Sequence, residues 1–113
     1  MTNSELIKKA AKAVGIEHPG GEHSKADDGR LWDCKRLCWW NPIKSDADAF
    51  QLAVMLKMEV YHADDEGEAV YASYVKPNSV IAYCIEYYND LTHMGDPQSA
   101  TRMAIVRAAG MNV

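Results

Sequence analysis

Apolar residues recur at helical spacing in three stretches of this chain. Leu6, Ile7, Ala10, Ala11 and Val14 share one face of a helix over residues 3–14. Thr2 and Glu5 open it as a T-x-x-E capping box. Gly15 closes it as a left-handed C′ residue, with Ile16 placed for the apolar contact of a Schellman motif. A second helix is predicted over 45–57, with Ser45 as N-cap accepting from the amide of Asp48. Asp48 is expected to reach back in the same capping box, and Asp46 and Asp48 both suit the positive end of the dipole. Ala49, Leu52, Ala53 and Leu56 form its stripe, and Phe50 and Val54 widen it. That breadth predicts a helix sandwiched between the sheet and another element. The third helix, 97–109, starts with Asp96 as N-cap and Pro97 at N1. Its stripe is Ala100, Met103, Ala104, Ala108 and Met111, small enough for close approach to a sheet, and Gly110 is expected to stop it.

Between the second and third helices the period changes to two. Strands are predicted over 58–63, 69–75 and 80–88. Asp64-Asp65-Glu66-Gly67 and Lys76-Pro77-Asn78-Ser79 are the turns that separate them. In the third strand Ile81, Tyr83, Ile85 and Tyr87 alternate with Val80, Ala82, Cys84 and Glu86. Both faces being mostly apolar, it is predicted to be central or doubly covered. The fold class is therefore α+β: a three-stranded antiparallel sheet packed with helices as an α/β sandwich. Its order is helix-loop-helix-strand-strand-strand-helix. Trp40, Phe50, Leu52, Ala53, Leu56, Ile81, Ile85, Met103 and Ala104 are the predicted core.

The lead-in over residues 17–38 has no such period. Pro19, Gly20, Gly21 and Gly29 break it, and residues 17–30 hold no apolar side chain larger than Ala26. Leu31, Trp32, Leu37, Trp39 and Trp40 follow and are expected to form an irregular apolar strap. At 113 residues the chain, 1–113, reads as a single domain with one core. The net charge of −4 disfavours a broad grip on nucleic-acid phosphates. Three cysteines, an odd number, point to a reducing cytoplasm rather than a disulfide scaffold. Lys8, Lys9 and Lys12 interrupt the first helix, so it reads as neither signal peptide nor membrane span.

Trp40-Asn41-Pro42, then Asp48-Ala49-Phe50-Gln51-Leu52-Ala53-Val54, then Asp96-Pro97-Gln98-Ser99-Ala100-Thr101-Arg102-Met103-Ala104-Ile105-Val106-Arg107-Ala108-Ala109 resembles the phage ABA sandwich domain family. These are short proteins encoded by bacteriophages and prophages. The resemblance runs from about Trp40 to the C-terminus, and the closing helix is its most specific part. It implies an α/β sandwich and a phage accessory protein acting in the cytoplasm of the bacterial host. It carries no catalytic residue.

Candidate chemistry is sparse. His18, His23, Cys34 and Cys38 are zinc-type ligands, but H-x4-H and C-x3-C are looser than usual zinc spacings, so no metal is assigned. Cys84 sits within an apolar strand as a core thiol, and no serine or cysteine lies at a motif that pairs with His62 or His93. Arg102 and Arg107 are expected to form helix-surface ion pairs. The expectation is thus a non-enzymatic protein that binds a host or phage protein, with no cofactor. Inhibition of a host defence system such as CRISPR is one form of that role. The alternative is a small metal-dependent enzyme or zinc-stabilised module built on the His/Cys lead-in. Residues 46–68 carry seven carboxylates against the single Lys57. The predicted binding surface is accordingly acidic, formed by Asp64, Asp65, Glu66 and Glu68, with Tyr61, Tyr71 and Tyr74 as aromatic anchors.

Overall fold

A computed structural model describes residues 2–16, 30–63 and 68–111. The elements are α1 (Asn3–Val14), β1 (Leu31–Asp33), β2 (Cys38–Trp40), α2 (Asp46–Met55), β3 (Glu59–Ala63), β4 (Ala69–Val75), β5 (Ile81–Tyr87) and α3 (Pro97–Gly110). Expectations for His18, His23, Asp64, Asp65 and Glu66 concern positions outside the described residues.

The local signals act as their chemistry requires. Thr2 Oγ1 accepts from the Glu5 amide at 3.2 Å. Gly15, at φ +70°, and Ile16 return their amides to Lys12 and Ala11, the two bonds of a Schellman motif. Asp96 caps α3 by accepting from the Gln98 amide at 3.0 Å. Ser45 caps α2 at 3.2 Å, but Asp48 does not complete a capping box. Its carboxylate accepts instead from the Asn41 amide at 2.8 Å. Asn41 is buried, and its side-chain oxygen accepts from the amides of Ile43 and Lys44. Trp40-Asn41-Pro42 is thereby a tied corner, with the Trp40 side chain fully buried beneath it.

The expected apolar strap is a β-hairpin. Leu31, Trp32 and Asp33 pair with Trp40, Trp39 and Cys38. Its turn is organised by Asp33, which is buried and accepts from the Lys35 and Arg36 amides and from the Arg36 guanidinium. No Gly or Asn marks this turn. Leu37 takes the left-handed position at φ +55°, so the usual hairpin signal is missing.

The larger sheet is antiparallel in the order β3-β4-β5. One face, carrying Val70, Ala72, Tyr74 and Ala82, packs on α3. The opposite side of α3 receives α1 and α2. The layers are therefore sheet, then α3, then the α1–α2 pair. A helix apolar on all sides belongs in the middle, and α3 buries Ala100, Met103, Ala104, Ile105, Val106, Ala108 and Ala109.

This arrangement overturns three expectations. It is α3 that is sandwiched, whereas α2 docks by Ala49 and Leu52 and leaves Phe50 71% exposed, with Val54 and Met55 also exposed. β5 is an edge strand covered on one face only, so Ile81 is 62% exposed. Gly110 does not follow α3 as a left-handed stop but is its last helical residue, where an added Cβ would stand 3.2 Å from the Lys9 Cβ. There glycine permits close approach of α1. Of the remaining predicted core, Trp40, Leu52, Met103 and Ala104 are buried, and Ala53, Leu56 and Ile85 are partly so.

Candidate protein-binding face

Antiparallel register decides which side chains share the outer face of the sheet. Tyr61 lies opposite Tyr71, and Tyr71 opposite Ile85. On either side of that row, Glu59 meets Ser73 and Ser73 meets Tyr83, while Ala69 meets Tyr87. Val75 pairs with Ile81 at the far end. Four tyrosines thus stand on one side of three neighbouring strands. Tyr61 and Tyr71 stack face to face at 4.9 Å between ring centroids, 3° from parallel. That distance matches the spacing of adjacent strands, so the backbone itself sets the stack. Tyr61, Val75, Ile81, Tyr83 and Tyr87 are exposed.

Of the three predicted anchors, the structure brings Tyr61 and Tyr71 together and removes Tyr74. An odd separation from Tyr71 puts Tyr74 on the inner face. It is buried there, and its hydroxyl donates to the Ala109 carbonyl oxygen at 3.3 Å. Tyr83 and Tyr87 stand on the outer face instead. Ile81, Tyr83, Ile85 and Tyr87 share a face as the sequence predicts, but this apolar face is open rather than covered. The acidic residues divide similarly. Glu59 and Glu68 are exposed, whereas Asp46 pairs with Arg102 at 2.6 Å and Asp48 is bound into the Asn41 corner. Arg102 and Arg107 do form ion pairs, to Asp46 and Glu86.

A polar network inside the fold was missed from the sequence. His93, whose side chain is fully buried, has Nε2 3.0 Å from Glu86 Oε1 and Nδ1 2.8 Å from Ser99 Oγ. Arg107 grips both oxygens of Glu86, at 3.3 and 3.1 Å. The order serine, imidazole, carboxylate is that of a nucleophile relay. Here, however, the ring is enclosed and Glu86 is held by a guanidinium. The network fastens the 88–96 loop to β5 and α3, helped by Gly95, whose amide donates to the Tyr88 carbonyl oxygen at φ +85°. Cys84 lies at its margin, and burial together with Glu86 pushes its thiol up to about 11, away from nucleophilic use.

Cys34 and Cys38 are exposed on the β1–β2 hairpin. Among the described residues no three His, Cys, Asp or Glu side chains are grouped to hold a metal ion. None of the described helices is long and apolar enough to cross a membrane. Comparison of the chain with protein-family models, curated proteins and solved structures found no match to any.

Proposed function

We propose that this chain is a protein-binding module that docks through the outer face of the β3-β4-β5 sheet. The observation that carries this reading is the exposed tyrosine and aliphatic face, held on a three-stranded antiparallel sheet. Tyrosine buries a large apolar area while keeping a hydroxyl for hydrogen bonding, and few rotamers are frozen when it does so. In the setting that the phage-family resemblance implies, the partner is a host or phage protein in the bacterial cytoplasm. Inhibition of a host defence complex is one concrete form of such binding. The partner surface is basic, because Glu59 sits on the face, Glu68 borders it, and Asp64, Asp65 and Glu66 follow β3 in the sequence.

The test is affinity capture from a bacterial lysate with the native chain beside Tyr83→Ser and Tyr61→Ser. Both tyrosines are exposed, so the variants keep the fold, which their thermal unfolding will verify. Loss of the same captured protein from both variants supports the reading. Equal capture by all three chains rejects the face.

A further inference from the structure

The α3 helix lies over β4 and β5, leaving the inner side of β3 as the floor of a groove between α2 and α3. The cavity measures about 670 Å³, within the ~300–1,000 Å³ of small-molecule sites. Its walls are apolar: Phe50 and Val54 on α2, Val60 on β3 and Ile105 on α3. Among its charged residues, Asp46 and Arg102 neutralise each other. Lys57 is different. It lines the groove, is exposed, and has no carboxylate partner among the described residues.

The backbone fixes where Lys57 stands. α2 ends in a Schellman motif, with Met58 N–H donating to the Ala53 carbonyl oxygen at 2.9 Å and Lys57 N–H to that of Val54 at 3.1 Å. Lys57 occupies its left-handed position at φ +54°. Glycine is the residue that this position favours, as Gly15 shows at the end of α1. A lysine in that position carries backbone strain that a glycine would not. The strained residue and the unpaired charge are the same residue, and it stands on the rim of the apolar groove.

We infer that this groove binds a singly charged amphiphile, a carboxylate with an unbranched apolar tail, whose head group pairs with Lys57. The tail lies along Phe50, Val54, Val60 and Ile105. Among the described residues that line it, Arg102 is paired with Asp46 and His62 is hydrogen-bonded to the Tyr88 hydroxyl, which leaves Lys57 as the full positive charge outside an ion pair, a match for one anionic head and one tail. The site is separate from the tyrosine face, because β3 presents Val60 inward and Tyr61 outward.

Decanoate titrated into the full chain by calorimetry tests this, with decanol and decyltrimethylammonium as probes of equal tail length. Saturable binding of decanoate, several-fold tighter than either control, is the expected result. Lys57→Gly should raise the melting temperature by relieving the left-handed strain, and weaken decanoate by about three- to fivefold, the range of an exposed ion pair. Phe50→Ala, at an exposed position, should weaken all three probes that bind at all, while Tyr83→Ser should leave decanoate binding unchanged. Equal affinity for decanoate and decanol, absence of saturable decanoate binding, or a Lys57→Gly variant that binds decanoate as the native chain does would each overturn the proposal.

Discussion

Trp40 shows how much one residue can settle. Its side chain is fully buried and is the largest to be so, beneath the corner formed by Asn41 and Pro42. Truncation to alanine leaves a cavity that the tied corner cannot collapse into, so Trp40→Ala should destabilise the protein by about 3–5 kcal/mol. A shift in the urea midpoint without change in slope is the expected signature. Asp33 makes a second prediction at this scale. Burial acts to raise its carboxyl, but hydrogen bonds from the Arg36 side chain and the Arg36 and Lys35 amides outweigh it and hold the group below its usual range. A lowered folded-state value stabilises the fold at pH above the unfolded carboxyl's titration. That stability is lost as pH falls through the folded value. Asp33→Asn should therefore cost stability at pH 7 and little at pH 2–3, as unfolding curves at the two pH values will show. Both sites were only partly legible in the sequence. The burial of Trp40 followed from apolar size next to Asn-Pro, but a turn built on a buried aspartate has no residue pattern to announce it.

At the scale of elements, capping and periodicity located the three helices and the three strands of the larger sheet. Those signals are local: an oxygen three residues from an amide, or a side chain every second position. What they do not contain is which element lies between which. α2 reads as the more apolar helix because Phe50 and Val54 widen its stripe, yet these two are exposed and α3 is enclosed. Alanine is the reason. Ala100, Ala104, Ala108 and Ala109 score weakly as apolar residues, but they let α3 be approached from the sheet and from α1 and α2 together. The 88–96 loop illustrates a long-range term in the same way. His93, Ser99 and Glu86 are ordinary in sequence and meet only once β5 and α3 are in place. Removing the carboxylate with Glu86→Ala leaves the buried Nε2 of His93 without its partner and frees Arg107. The expected cost is about 1–3 kcal/mol, concentrated in this loop. Hydrogen exchange should show faster amide exchange at Met94 and Gly95, whose amides donate to Asp90 and Tyr88. Ser99→Ala should leave Glu86 and Arg107 in place and produce a smaller effect. If Ser99 instead served as a nucleophile, a fluorophosphonate probe would label the native chain and not this variant; no labelling is expected.

For the whole molecule, the layering leaves the sheet with one face against α3 and the other open, and the open face holds the tyrosines. Carboxylates are concentrated along the chain from β3 to the start of β4. Glu59 sits on the face itself, Glu68 borders it, and Asp64, Asp65 and Glu66 connect β3 to β4. These two features should govern different rates of association with a basic partner. Long-range attraction acts before contact, so the carboxylates set how quickly the two surfaces meet and how strongly salt slows them. Packing and desolvation of the aromatic rings act after contact, so Tyr61 and Tyr83 set how long the complex lasts. Converting Asp64, Asp65 and Glu66 to lysine should slow association by about tenfold or more at low ionic strength, with a much smaller difference at 0.5 M salt. Tyr83→Ser should leave association nearly unchanged and speed dissociation. Surface-immobilised partner, titrated with the native and variant chains at two salt concentrations, separates the two effects. An association rate indifferent to the triple charge reversal would show that these carboxylates serve solubility alone. A dissociation rate indifferent to Tyr83→Ser would move the interface off this side of the sheet.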